Sequence, residues 1–193
     1  YLKNLKTDIL YLPIDKEIYP KGSNKNIKLP KFAKTLCGKY RPGHFNAVVD
    51  VVERFIKIIK PTRIYFGEKD MQQLKIVEKY ISTIYKDIKV VECKTIREKN
   101  GLAYSSRNFL LNNNQKKIAS KVYKIIKTNK KKILRRNSFL KIIESKILSI
   151  GVKKIDYLKV INVNTLIKPF KKIKKNKVFL AYYLGETRLI DNI

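Results

Sequence analysis

Between His44 and Glu92 the spacing of apolar residues switches three times, and no other feature of the chain limits its fold so strongly. Phe45, Val48, Val49, Val52, Phe55, Ile56 and Ile59 recur at the intervals of one helix face, after an Arg41-Pro42-Gly43 turn. Pro61 and Thr62 lead into a short run, Arg63 to Phe66, which reads as a buried strand and is broken by Gly67. Helical spacing resumes near Asp70, with Met71, Leu74, Val77, Ile81 and Ile84 on one face, and Ile88 to Glu92 is again a strand. Upstream, Asp8 to Pro13 (DILYLP) reads as an earlier buried strand. The order strand, helix, strand, helix, strand predicts an α/β fold with a doubly wound parallel sheet.

The pattern changes after Thr95 and Ile96. Helices are expected at about Asn113 to Lys130 and Ser138 to Ser149, followed by extended runs at Ile155 to Ile161, Lys177 to Leu184 and Thr187 to Ile190. Strands this close leave no room for crossover helices, so they should be antiparallel. Two units are therefore expected: residues 1–95, and an α+β unit over residues 96–193.

The 193 residues carry 45 Lys and Arg against 15 Asp and Glu, a formal net charge of +30. Such a charge suits a nucleic-acid or anionic-membrane partner. Yet 37 of the cations are Lys and only 8 are Arg, the residue that phosphate-reading surfaces favour. No Arg-rich helix or aromatic stacking platform is evident. The densest runs, Lys130 to Arg136 and Lys171 to Lys177, fall where a helix end and a hairpin tip are expected and read as solvated faces. A hydrophobic share of 44% excludes disorder for most of the chain. No apolar run approaches the roughly 18 residues of a membrane span, and the first residues are too polar for a signal peptide. A cytoplasmic protein with neither a membrane nor a specific nucleic-acid partner is expected. Two cysteines, Cys37 and Cys93, and one histidine exclude a disulfide framework and a zinc knuckle.

Three segments carry chemistry. Gly67-Glu68-Lys69-Asp70-Met71-Gln72-Gln73 falls where a strand gives way to a helix, the place where open α/β sheets bind ligands and free N–H groups meet phosphate. Lys69 could neutralise phosphate oxygens, Asp70 could accept from ribose hydroxyls, and Gln73 could present an amide to a second substrate. Asp70 and Gln73 are equally spaced as a D-x-x-Q capping box, which needs no ligand. Gly101 to Asn108 places Ser105, Ser106 and Arg107 together, a donor set for an oxyanion, or else a serine turn capping a helix. Arg41-Pro42-Gly43-His44-Phe45 holds the only histidine, which reads more readily as a helix-start residue than as a catalyst.

Taken in order, RPGHF, FGEKDMQQL, REKNGLAYSSRN and LGETRLIDN resemble the pantothenate synthetase (pantoate-beta-alanine ligase) family over essentially the whole chain. The resemblance implies a Rossmann-like nucleotidyltransferase domain followed by a smaller C-terminal lid. It also implies that ATP, accompanied by Mg²⁺, activates pantoate as an acyl-adenylate that the amine of β-alanine then attacks. Carried over by position, Gly67, Glu68, Lys69 and Asp70 would contact ATP, with Lys69 on phosphate and Asp70 on ribose. Ile96 would offer a backbone contact to adenine, Tyr104, Ser105, Ser106 and Arg107 would form the phosphate-binding lid segment, and Gln73 would bind pantoate. Lys69 and Arg107 would be the catalytic pair. A homodimer is implied as well.

The chain departs from the family pattern in lacking its early H-x-G-H loop, in having Cys37 where glutamate is usual, and in having Tyr104 before Ser105. Two βα units are expected to be missing ahead of Tyr1, and the 193 residues alone are expected not to make pantothenate. A basic nucleic-acid-binding module and an inactive remnant of the ligase are the alternative readings. An in-frame H-x-G-H loop upstream would separate the ligase from the remnant.

Overall fold

The computed structural model describes residues 2–24, 26–136, 138–166 and 175–193. The lysine-rich run proposed as a hairpin tip lies, for residues 171–174, outside the described residues. In the first half, helix α1 (His44–Ile59) and helix α2 (Met71–Ile84) flank strand β1 (Arg63–Gly67), and strand β2 (Lys89–Cys93) follows α2. β1 and β2 pair in parallel, from Arg63 opposite Lys89 to Gly67 opposite Cys93, with α2 as the crossover. α1 starts after Gly43, whose φ of 78° suits glycine, and buries Phe45, Val49 and Ile56. α2 buries Met71, Leu74, Val77 and Ile81 as expected, and Ile76 as well. The stripes run out at the helix ends, where Ile59 and Ile84 are exposed.

An ion pair fastens the loop that precedes α1. Asp50, buried on that helix, accepts from Arg54 Nε at 2.7 Å and from the Asn24 amide at 2.9 Å. Arg54 in turn donates to the carbonyls of Ile18 and Gly22 and stacks over Tyr19. Without such a partner the Asp50 carboxylate would be a costly buried charge.

The strand expected at Asp8 to Pro13 is not formed. These residues carry no regular element, and Ile9 and Leu12 are 83% and 77% exposed. A strand is held by its ladder, and among the described residues β1 and β2 are each other's only partners. Tyr11 instead rests edge-on against Phe55 of α1.

The second half holds helices α3 (Asn113–Arg135) and α4 (Phe139–Ser149) and strands β3 (Lys154–Asn162), β4 (Asn176–Leu184) and β5 (Thr187–Asn192). The strands form an antiparallel sheet in the order β3-β4-β5. Asn112 caps α3, its side chain accepting from the Gln115 amide, and Gln115 reaches back to the Asn112 amide. α3 runs to Arg135, so most of the Lys130 to Arg136 run lies in its last turns, where cations oppose the negative end of the helix dipole.

The antiparallel sheet is buried on both faces. Leu158, Val160, Val178, Leu180, Tyr182 and Leu184 pack with Val122, Ile126, Ile133, Ile143 and Ile147 of α3 and α4. Tyr157, Ile161, Phe179 and Ala181, which alternate with them, pack with Phe45, Val49, Met71, Leu74 and Val77 of the first half. One sheet thus sits between two apolar clusters, and this holds the loop after β1 against β5.

Candidate active site

β1 ends at Gly67, a 3-10 turn spans Glu68–Asp70, and α2 begins at Met71. Gly67 has φ −75°, and a Cβ there would meet nothing within 4 Å. Neither backbone conformation nor packing within the described residues requires a glycine, so what it preserves is open space at the strand end. Gly38 is the opposite case, because a Cβ would fall 1.7 Å from the Ala33 carbonyl oxygen.

Asp70 stands at the N-cap of α2 without a side-chain cap bond, so the D-x-x-Q box is not formed. Both Asp70 and Gln73 instead line an open pocket, together with Cys37, Arg41, His44, Lys69 and Tyr157. The two adjacent glutamines have separate fates. Gln72 is 5% exposed, accepts from the Cys37 amide at 3.0 Å and donates to the carbonyls of Phe32 at 3.0 Å and Thr35 at 2.7 Å. It fastens the Cys37–Tyr40 turn to α2, while Gln73 faces the pocket.

Lys69 also lines a second, neighbouring pocket with Ser105, Arg107 and Asn108. This is where the two chemistry-bearing segments meet. The residue 103–108 segment is positioned from several directions. Arg97 bridges to Ala103, and its guanidinium grips both oxygens of Asp191 on β5 at 2.7 Å. Asn108 donates to the Ala103 carbonyl at 3.0 Å. Gly101 has φ 93°, and a Cβ there would strike the Tyr123 ring at 2.2 Å, so only glycine fits. Ser105 caps the following 3-10 turn, accepting from the Arg107 amide at 3.2 Å, so the serine-turn alternative is realised for that residue even though it lines the pocket. Arg107 Nη1 donates to the Arg188 carbonyl at 3.1 Å.

The remaining sequence candidates lie further out. Ser106 and Tyr104 are exposed, Tyr104 by 61%, and neither lines these two pockets. Ile96 is 72% exposed, and its carbonyl accepts from the Tyr104 amide at 3.1 Å. The Glu68 carboxylate is paired with Lys177 Nζ at 3.0 Å; burial pushes its pKa up, but the Lys177 bond and charge outweigh this and the net shift is downward.

Sequence reasoning weighed the Arg41 to Phe45 segment and read His44 as a helix-start residue, and it passed over Tyr157, Asp191 and Asn192 as site residues; Arg41, His44 and these three all line the pocket that holds Gln73. Arg188 lies beside it. Its Nε donates to Asp156, a carboxylate 1% exposed, at 2.7 Å, and its terminal nitrogens stand 3.7 and 3.8 Å from Cys37 Sγ. Cys37 Sγ is 3.1 Å from the Tyr157 hydroxyl, while the Tyr40 hydroxyl donates to the Asp156 carbonyl. Burial, and then the charge of Arg107, lowers the pKa of Arg41; burial, Arg41 and Arg107 lower that of His44. Among the described residues no cluster of three or more His, Cys, Asp or Glu forms a metal site, and no helix is long and apolar enough to cross a membrane.

An α/β chain with a cation-rich pocket at the end of a parallel strand, completed by a segment held against an antiparallel sheet, defines a narrow structural class. The family model for pantoate-beta-alanine ligase matches residues 1–193. Pantothenate synthetase of Fervidobacterium nodosum is 37% identical over 201 residues, covering 100% of this chain and 70% of the relative. That of Buchnera aphidicola is 40% identical over 199 residues, covering 99% and 69%. Among solved structures, pantothenate synthetase from Thermus thermophilus superposes with a TM-score of 0.89 at 30% identity, covering 100% of this chain and 71% of that one. Pantoate-beta-alanine ligase from Francisella tularensis, complexed with beta-gamma ATP and beta-alanine, gives 0.76 at 36% identity, covering 100% and 66%. The chain belongs to the pantoate-beta-alanine ligase family.

Proposed function

We propose that the protein carrying this chain joins pantoate to β-alanine at the expense of ATP, through a pantoyl-adenylate, and that the two pockets sharing Lys69 are its substrate site. The observation that carries this reading is the convergence on Lys69: Ser105 and Arg107 line one pocket with it, Asp70 and Gln73 the other. A carboxylate oxygen of pantoate attacks the α-phosphorus and pyrophosphate leaves. The amine of β-alanine then attacks the acyl carbon, loses a proton, and AMP leaves.

Charge builds on the phosphate oxygens in the first step, and fixed cations stabilise it without reorganising. Lys69 and Arg107 take that part, with Ser105 and Ser106 as hydroxyl donors. Asp70 holds ribose hydroxyls, the Ile96 backbone lies toward adenine, Tyr104 belongs with Ser105, Ser106 and Arg107 to the phosphate-binding lid segment, and Gly67 and Glu68 shape the strand end. Gln73 orients pantoate. Mg²⁺ travels with ATP as part of the substrate, held chiefly by phosphate oxygens. The division at residues 95 and 96 follows the same reading, the second unit closing the site as a lid, and the working form is a homodimer.

Pyrophosphate release from ATP and pantoate tests this. Lys69→Ala should slow it by about 10²- to 10³-fold, the cost of losing one donor aimed at developing charge, with little loss of stability. An unchanged rate would remove Lys69 from the site.

A further inference from the structure

Two of the four arginines around the site are engaged by carboxylates, and a third, Arg107, donates to the Arg188 carbonyl. Arg188 is spent on Asp156 and Arg97 on Asp191, each at 2.7 Å. Arg41 differs. It lines the pocket, and among the described residues no carboxylate lies within ion-pair distance of it. Its one side-chain partner is His44, whose Nε2 is 2.8 Å from Arg41 Nη1. A guanidinium can only donate, so His44 Nε2 is the acceptor and the ring proton sits on Nδ1.

The turn makes this arrangement. Pro42 and Gly43 reverse the chain directly before α1, and the His44 amide donates back to the Arg41 carbonyl at 3.2 Å. The imidazole therefore meets the guanidinium it follows by three residues. Being neutral at pH 7, it steadies Arg41 without cancelling its charge. Burial first, and then the charges of Arg107 and Arg188, lower the pKa of Arg41, with Cys37 and Asp70 opposing them. Lys69 adds a fourth cation, with its nearest carboxylate, Asp70, 4.0 Å away. Among the described residues Arg41 and Arg107 have no carboxylate partner, and holding such charges beside other cations carries a cost that an anion removes.

We propose that Arg41, steadied by His44, is an anion-binding residue of this pocket that takes an oxyanion of a bound substrate. This rests on the ligase reading above. Two substrate groups share the chemistry: a phosphate of ATP and the carboxylate of β-alanine. A guanidinium fork fits either.

The test compares wild type, Arg41→Ala, Arg41→Lys and Lys69→Ala in the protein carrying this chain. Inorganic tripolyphosphate binding, measured by calorimetry, reads the phosphate arm, and the KM for β-alanine reads the carboxylate arm. Arg41→Ala should weaken one of the two by tenfold or more, since a charged hydrogen bond is lost. Arg41→Lys should recover only part of it, because charge remains and the fork does not. Melting temperature, read on each variant, separates binding from folding. If Arg41→Ala lowers the melting temperature while both affinities of the folded protein stay at wild-type values, the inference is overturned and Arg41 is structural. If both affinities hold while Lys69→Ala weakens tripolyphosphate binding, this inference alone falls. If Lys69→Ala also changes nothing, or if wild type takes up neither probe, the ligase reading of the pocket falls with it.

Discussion

Asn192, the penultimate residue of the sequence, donates through Nδ2 to the carbonyls of both Glu68 and Lys69, at 2.7 and 2.9 Å. Its Oδ1 accepts from Lys177 Nζ at 3.3 Å, and the same ammonium pairs with Glu68. The carbonyls of the turn after β1 are thereby tied to strand β5. Asn192→Asp keeps the shape but replaces the donor by a third acceptor, so it should destabilise by about 2 to 3 kcal/mol, more than Asn192→Ala. Urea unfolding of the two variants checks the order.

Gln72 and Gln73 should separate stability from binding. Gln72→Ala strands the Cys37 amide and the carbonyls of Phe32 and Thr35, and should cost about 2 to 4 kcal/mol. Gln73→Ala should stay within about 0.5 kcal/mol of wild type while raising the KM for pantoate. Equal stability losses would return Gln73 to the scaffold.

The glycines make a similar pair. Gly67→Ala adds a methyl group to open space and should leave the melting temperature within about two degrees while weakening ATP binding. Gly38→Ala drives a methyl group into the Ala33 carbonyl and should unfold the segment around it. ATP affinity unchanged in Gly67→Ala would show that the open space serves no ligand.

Acidification should act through His44. Its pKa is held below the ordinary 6.5 by burial first and by Arg41 and Arg107 next, with Arg188 adding to them and Asp70 opposing. Below about pH 6.5 the unfolded chain binds the proton more readily than the folded one. The stabilising contribution is therefore complete above that value and is lost as pH falls through the lower folded value. The urea midpoint should drop between pH 7 and 5, and His44→Gln should flatten that part of the profile. Parallel profiles would place the acid sensitivity elsewhere.

Most regular elements were legible because their signals are local. The α1 and α2 stripes follow from spacing alone, and the close succession of β3, β4 and β5 from the short gaps between runs. Local signals fail where the deciding partner is distant. Ile9, Leu10 and Leu12 look like a strand, but a strand exists only with a ladder beside it. The pair Gln72-Gln73 looks the same at both positions, and only the Cys37 turn, thirty-five residues away, selects which one is buried. Lys69, Asp70 and Gln73 were found because a strand-to-helix junction announces itself in sequence. Arg41 and His44 were weighed and set aside because the local turn that joins them shows nothing of the pocket they line, which is assembled from both halves of the chain.

Strand β4 carries a further consequence. Its odd-numbered residues Phe179 and Ala181 serve one apolar cluster, and its even-numbered residues Val178, Leu180, Tyr182 and Leu184 serve the other. Slipping its pairing by a single position would exchange the two sets, pressing Leu180 and Tyr182 toward the space shaped for Ala181 and leaving Phe179 among α3 and α4. A register error here cannot be absorbed on one side, since each cluster rejects the other's side chains. The hairpin is thus checked twice by packing, and a mispaired form would have neither interior available to trap it.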